Sequence, residues 1–231
     1  MSVVPSRVLN RTYIGLDILF LLCFAALLWR NRRKQALIVG LLGGVLYFLV
    51  DYGIFYRLLG TRQVTGADPF AFLLWLSMSY GFTNFAWIWL WLDRDKRLLE
   101  WSLFIPAGWI AVSLLAQNFG GPLGEITISR STDSYHGVMA LILFAGYGGL
   151  IAYNLKAPDE KRAPLLWLLA IGILVQFSWE AILLITGIRA QGLGPLIVDS
   201  LIETNLGMPY LYLIHRAVSR RWNEAMEPVG C

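Results

Sequence analysis

Seven long stretches of apolar residues follow one another along the chain, separated by short polar or glycine-rich connections. Each stretch is roughly 17–24 residues long, which is enough for an α-helix to cross a hydrocarbon core about 30 Å thick. The stretches are Tyr13–Trp29, Ala36–Tyr56, Pro69–Leu92, Leu98–Gln117, Tyr135–Tyr153, Pro164–Thr186 and Pro195–Ile214. The pattern therefore predicts an all-α membrane protein, in which residues 1–231 form a single domain of seven transmembrane helices.

The composition also favours a membrane protein over a soluble domain. Hydrophobic residues make up 57% of the chain and charged residues 15%, whereas soluble domains have about 45–50% and about 25%. Thirteen of the 19 basic residues lie in the first, third and fifth connections or after the last stretch. The positive-inside rule then predicts an outer N-terminus and a cytoplasmic C-terminus. We expect a multi-pass protein of a bacterial plasma membrane, and we interpret the net charge of +4 as a topology signal, not as a sign of nucleic-acid binding.

The second and third stretches resemble the sixth and seventh. Each pair has an acid in its first helix, a Gly-x-Arg sequence in the connection, a proline that opens the next helix and a glycine twelve residues later. The corresponding residues are Asp51 and Glu180, Gly60 and Gly187, Arg62 and Arg189, Pro69 and Pro195, and Gly81 and Gly207. This similarity suggests a 3+1+3 layout of two parallel repeats joined by the fourth helix, which in transporters places the site between the repeats.

Four acidic residues lie inside the apolar stretches, namely Asp17, Asp51, Glu180 and Glu203. Each is six to eight residues from the outer end of its helix, which places all four roughly 9–12 Å below the outer surface at 1.5 Å per residue. Asp199 lies one turn above Glu203 on the same face. A charge at membrane depth costs about 2.5–3.5 kcal/mol or more, so the shared depth favours one common pocket. The alternative is a set of separate structural contacts, such as a hydrogen bond from Asp17 to a neighbouring helix.

No lysine or arginine lies at this depth in the sequence, so we expect the acids to lack a basic partner. Burial without a cation disfavours the ionised form of a carboxyl group, and neighbouring carboxyls disfavour it further. At least one of these acids should therefore be neutral at physiological pH and able to donate a proton.

Polar and aromatic residues on the same helices are candidates for the wall of this pocket. Together with Asp17, the expected substrate-binding residues are Tyr80, Asn84, Gln176, Trp179, Asn205 and Tyr210. A desolvated aromatic face stabilises a cation by up to about 2 kcal/mol. Tryptophans near the cytoplasmic helix ends need no such role, because they commonly form an interfacial belt.

Several kinds of site lack the residues they would need. There is no lysine at membrane depth, which excludes a retinal Schiff base, and His136 and His215 lie near opposite surfaces, which argues against a histidine metal centre. The diphosphate-binding sequences DDxxD and DxDD do not occur. We therefore expect neither a metal nor a cofactor.

This combination resembles the small, seven-helix, integral-membrane terpene cyclases of fungal meroterpenoid and indole-diterpene pathways, and their bacterial relatives of the drimentine type. The resemblance covers the whole chain in length and helix layout. It is carried by Asp51 in LVDYGIFY and by Glu203 or Asn205 in IETNLGMPYLY. The family has a Trp–acid pair in its second helix, whereas here that pair occurs in the sixth helix as Trp179–Glu180.

The resemblance implies a metal-free, proton-initiated cyclisation of a neutral prenylated substrate. One carboxylic acid would protonate a terminal alkene or epoxide, and a second group would take up the final proton. Asp51 and Glu203 would be the catalytic acid pair, with Glu180 as a partner or alternative donor. The substrate would be a hydrophobic small molecule, such as a prenylated indole, that enters from the membrane lipid, and no obligate protein partner is expected.

Two other functions fit parts of the same pattern. A proton-coupled transporter of small solutes would use the repeat and the buried acids as a proton relay, but the acids crowd one half of the bilayer instead of tracing a path across it. A receptor, sensor or partner subunit would bind a ligand without turnover.

Overall fold

The computed structural model describes residues 6–120, 124–130, 136–189 and 193–226. About 81% of the structure is helical, which confirms the predicted all-α character. The helices are α1 (Arg11–Arg30), α2 (Lys34–Phe48), which continues as a π-helical segment (Leu49–Leu58), α3 (Pro69–Leu92), α4 (Leu98–Phe119), α5 (His136–Lys156), α6 (Leu165–Ile185) and α7 (Leu193–Met226), with a 3-10 turn at Asp159–Lys161.

Within the described residues, five helical spans are long and apolar enough to cross a membrane. They are Arg11–Arg30, Lys34–Leu58, Leu98–Phe119, Gly137–Lys156 and Asp159–Ile185. Each of the seven predicted stretches falls on one helix, and most ends agree within a few residues. Tyr135, the predicted start of the fifth stretch, lies outside the described residues, and α7 continues past Ile214 to Met226. The chain is thus compatible with an integral membrane protein.

Helix α3 lies at the centre of the bundle, in contact with α1, α2, α4, α6 and α7. It carries Ser77, Ser79, Thr83 and Asn84 among its apolar residues. All four side chains are at most 1% exposed. The neighbouring helices therefore bury the polar groups of the central helix.

Helices α2 and α3 approach closely because glycines replace side chains at their contact. Gly40 and Gly44 are four residues apart on α2 and lie against Phe82 and Met78 of α3. Such small-xxx-small patterns let helix backbones come together in membranes. A methyl group added to Gly81 would lie 2.8 Å from the Gly44 Cα atom, so this position has no room for a side chain.

A three-stranded antiparallel sheet lies at one end of the bundle. Its strands are β1 (Ser6–Asn10), β2 (Arg62–Thr65) and β3 (Glu125–Arg130), in the order β1-β3-β2. They come from the segment before α1, the α2–α3 connection and the α4–α5 connection, all at the end predicted to be outside. The α6–α7 connection joins them, because the Val8 amide donates to the Ile188 carbonyl at 3.0 Å.

The sheet was not predicted, since its strands lie outside the seven apolar stretches, in segments that the sequence pattern indicates to be connections. The strand β3 does alternate in polarity, with Ile126 and Ile128 buried between polar neighbours. That alternation is the signature of a half-buried strand. It is short, and it becomes a strand only because β1 and β2 pair with it on either side.

Candidate functional site

Asp51 is buried on the π-helical segment and is held by side chains from two other elements. The guanidinium of Arg62, at the start of β2, forms an ion pair with Asp51 Oδ1. The hydroxyl of Tyr80, on α3, donates a hydrogen bond to Asp51 Oδ2. We call these three residues the Asp51 cluster. Its one carboxylate and one guanidinium balance each other.

The local backbone explains how Arg62 reaches Asp51. π-helical turns widen a helix and are frequent at functional sites. The segment ends with the Leu59 amide donating to the Ile54 carbonyl at 2.9 Å. Gly60 then adopts a φ of 62°, a left-handed conformation that glycine accepts without strain. The chain reverses there, and Arg62 returns to the helix it has just left.

Glu180, on α6, lies among two arginines and two further acids. Arg189 Nη2 is 2.6 Å from Glu180 Oε2, and Arg7 Nη2 is 3.4 Å from Glu180 Oε1. Arg189 Nη1 also lies 3.4 Å from Asp199 Oδ2. Carboxylate oxygens of Glu180, Asp199 and Glu203 all lie within 4.8 Å of one another. We call these five residues the Glu180 cluster.

Gln176 links the acids of α6 and α7 in this cluster. Its Nε2 atom donates to Glu203 Oε2 at 3.0 Å and to Glu180 Oε1 at 3.3 Å. Its Oε1 atom accepts a hydrogen bond from the Thr204 hydroxyl at 2.7 Å. Because Thr204 fixes which way the amide points, Gln176 presents its donor side to both carboxyls.

The expectation that the buried acids lack a basic partner is wrong for Asp51 and Glu180. Arg62 and Arg189 lie in connections between the apolar stretches of the sequence, yet they are only 6% and 5% exposed and form ion pairs with these two acids. Arginines outside the apolar stretches therefore supply the cations that the stretches themselves lack.

In both halves of the chain, a glycine with positive φ precedes an arginine that contacts the helix before it. Gly187 has a φ of 71°, as Gly60 has 62°. In both cases the arginine two residues later returns to the acid of the preceding helix. The repeated Gly-x-Arg sequence is the signal from which these arginines could have been recognised as site residues.

The Glu180 cluster brings three carboxyls within 4.8 Å of one another, beside the guanidiniums of Arg7 and Arg189. Carboxyls this close together resist simultaneous ionisation. Oxygen atoms at this spacing would also suit a divalent cation. In this structure, however, Arg189 and Arg7 are the cations that Glu180 contacts.

Aromatic rings connect the two clusters. The ring of Tyr80, in the Asp51 cluster, lies 6.5 Å from the ring of Trp179, which directly precedes Glu180. The Trp109 ring, on α4, packs edge-on against Trp179 at 4.9 Å. The Asp51 and Glu180 clusters thus meet across an aromatic contact between α3 and α6.

Two further predicted site residues lie at other positions on α1 and α3. Asp17 is fully buried and accepts a hydrogen bond from Trp75 Nε1 of α3 at 2.9 Å. This neutral donor fits the alternative in which Asp17 is a structural contact. Asn84 is buried on α3, and its Oδ1 atom has no hydrogen-bond partner among the described residues.

The α7 residues Asn205 and Tyr210 contact α5. Asn205 accepts a hydrogen bond from the Tyr147 hydroxyl at 3.2 Å, and the Tyr210 hydroxyl donates to the Ile142 carbonyl at 2.9 Å. The Tyr210 side chain is 41% exposed. Of the predicted site residues, the structure brings together Asp51, Tyr80, Gln176, Trp179, Glu180 and Glu203.

Comparison of the chain with protein-family models, with curated proteins and with solved structures finds no match. The resemblance to membrane terpene cyclases therefore rests on the helix layout and on Asp51 and Glu203 or Asn205 alone.

Proposed function

We propose that this chain is a membrane-bound terpene cyclase that protonates a neutral prenylated substrate and cyclises it without a metal. The observation that carries the proposal is the Glu180 cluster, in which carboxylate oxygens of Glu180, Asp199 and Glu203 lie within 4.8 Å of one another. Carboxyls that share a site resist simultaneous ionisation, so one of them, such as the buried Glu180, can stay protonated as a general acid requires. The aromatic rings of Tyr80 and Trp179 lie beside it, and such faces stabilise cations.

The two clusters would divide the reaction between them. Glu180 or Glu203 gives the proton of its O–H bond to a terminal alkene carbon, where a C–H bond forms and leaves a carbocation. Ring closures then move the positive charge along the folded chain. Asp51, a carboxylate held by Arg62 and Tyr80, takes up a proton when a final C–H bond breaks to give an alkene. With an epoxide substrate, the first proton ends on oxygen.

We further propose that all seven helices span the membrane, with the sheet outside and the C-terminus in the cytoplasm. The sheet supports this because it gathers the N-terminal strand and the second and fourth connections at one end of the bundle. Helix α3, with 24 residues, is about 36 Å long, enough to cross. After Gly60 and after Gly187 the chain reverses, and the arginine two residues later pairs with the acid of the preceding helix. This repeated arrangement supports the 3+1+3 repeat.

A turnover assay in deuterated water tests the proposed activity. Purified protein is incubated with farnesylated and geranylgeranylated indoles, with and without a terminal epoxide, and the products are examined by mass spectrometry and NMR. We expect a cyclic product with one deuterium on carbon from an alkene substrate. Glu203→Gln and Glu180→Gln should reduce its formation strongly, since each removes a carboxyl from the group that holds the proton.

Asp17→Asn is the matched control for these variants. Asp17 is also a buried acid within a helix, but its partner is the neutral Trp75 indole. This variant should retain turnover. Absence of conversion of every substrate by folded wild-type protein would refute the proposal, and loss of activity in Asp17→Asn alone would place the donor elsewhere.

The repeated acid–arginine contacts favour one alternative, a proton-coupled transporter of small solutes. Transporters with parallel repeats place their sites between the repeats and use buried acids as proton relays. Flux of a chemically unchanged solute into liposomes, driven by a proton gradient and lost in Asp51→Asn, would support transport instead of cyclisation.

A further inference from the structure

A second polar site lies at the opposite end of the bundle from the sheet. A cavity of about 260 Å³ opens between the C-terminal end of α3, the α5–α6 connection, the start of α6 and the middle of α7. Its wall carries four lysine and arginine side chains, one histidine and one acid, which are Arg94, Lys161, Arg162, Arg216, His215 and Glu160. The site described above uses none of these residues.

Among the described residues, three of these cations have no carboxylate partner in an ion pair. Arg162 pairs with Asp159 at 2.6 Å. In the part of the chain that the structure describes, Arg94, Lys161 and Arg216 form no ion pair with an acid. The cavity therefore carries an excess of positive charge.

Aromatic rings lie beside two of the guanidiniums without neutralising them. The Arg94 guanidinium lies 5.9 Å from the centre of the Trp167 ring, and that of Arg216 lies 5.8 Å from the Tyr212 ring. Arg216 Nη1 also donates to the Tyr153 hydroxyl at 3.4 Å. A guanidinium beside a ring keeps its charge and most of its in-plane N–H donors.

We infer that this cavity binds a phosphate group of an anionic ligand at the cytoplasmic membrane surface. Guanidiniums bind phosphate through pairs of parallel hydrogen bonds, and basic pockets between helices on this side of a membrane bind lipid head groups. The volume is below the roughly 300–1,000 Å³ of pockets for drug-sized ligands, so it suits a small phosphomonoester. The source of the phosphate is a lipid head group or a soluble compound, and the chemistry of recognition is the same for both.

Arg94 offers a substitution that removes a cation without weakening the fold. Its φ is 50°, a left-handed conformation in which glycine is less strained than arginine. Arg94→Gly should therefore fold at least as well as the wild type. Arg32 is a matched control, because its φ is 62°, it lies at the same end of the bundle and it does not line the cavity.

Binding is measured on the full chain in phosphatidylcholine nanodiscs, in two arms. In the first arm the nanodiscs also contain phosphatidic acid, and the lipid retained by the protein is measured by native mass spectrometry. In the second arm inorganic phosphate and glycerol phosphate are titrated by calorimetry. We expect binding in at least one arm, weakened roughly tenfold or more in Arg94→Gly because charge-assisted hydrogen bonds are lost, and unchanged in Arg32→Gly.

The two arms also identify the source of the phosphate. Retention of phosphatidic acid without binding of the soluble compounds assigns a lipid head group, and the reverse result assigns a soluble ligand. Three results would overturn the inference: no binding in either arm, binding that Arg94→Gly leaves unchanged, or an equal loss in Arg94→Gly and Arg32→Gly. None of them bears on the proposed cyclase, whose site lies at the other end of the bundle.

Discussion

Replacing Arg62 by glutamine removes the guanidinium that balances Asp51. Both side chains are nearly inaccessible to water, with Asp51 at 2% and Arg62 at 6% exposure, so the carboxylate left behind would stay desolvated. Breaking a buried ion pair by removing one partner costs about 3–5 kcal/mol, whereas loss of an exposed pair costs about 0–1 kcal/mol. Because Tyr80 still donates a hydrogen bond to Asp51, we expect a loss in the lower part of the buried range, about 3–4 kcal/mol.

The free energy of unfolding is measured in mixed micelles by titration with a denaturing detergent. The comparison includes the wild type, Arg62→Gln, Asp51→Asn and the double variant. The double variant removes both charges, so it should lose less stability than the two single effects added together, with a coupling energy of about 1–3 kcal/mol. A loss below about 1 kcal/mol in Arg62→Gln, or additive effects in the double variant, would show that this pair is not a buried ion pair and would refute the reasoning.

Three further changes can be followed by the same titration. Arg189→Gln should cost less than Arg62→Gln, because a second arginine also contacts the acid on α6; a larger cost would contradict this. Tyr80→Phe removes a hydrogen bond to a carboxylate and should cost about 1.5–3 kcal/mol; no change would mean that water replaces the hydroxyl. Gly81→Ala places a methyl group 2.8 Å from a backbone atom of α2 and should cost about 1–3 kcal/mol. Gly148→Ala is its control, because the methyl group added there on α5 meets open space. This variant should be neutral or stabilised by up to about 1 kcal/mol.

The helices could be predicted because each one is specified by its own residues. A long apolar segment in a membrane satisfies its backbone hydrogen bonds internally only as a helix, so the sequence blocks translate directly into α1–α7. The sheet is different, because β1, β2 and β3 come from three separate connections and none of them is stable until the other strands are in place. A local pattern cannot reveal such a partner.

The candidate site was predictable only in part. The acids Asp51, Glu180 and Glu203 stand out because charge inside an apolar stretch is costly. Their arginine partners do not stand out, because basic residues in a connection are ordinarily solvated or mark the orientation of the chain. Their burial follows from the two glycine reversals and from the sheet that holds the arginine-bearing segments against the helix ends.

The amino-acid sequence by itself determined the number and order of the helices, their approximate bounds and the positions of the acids along them. Only the tertiary structure decided that two arginines enter the bundle, that the Tyr80 ring lies against Trp179, and that three carboxyls meet around Glu180. The physical reason is the separation along the chain of the residues that each kind of interaction joins. Helix formation depends on residues within a turn or two of each other, whereas ion pairing depends on which groups the fold brings together, as with Arg7 and Glu180, which are 173 residues apart.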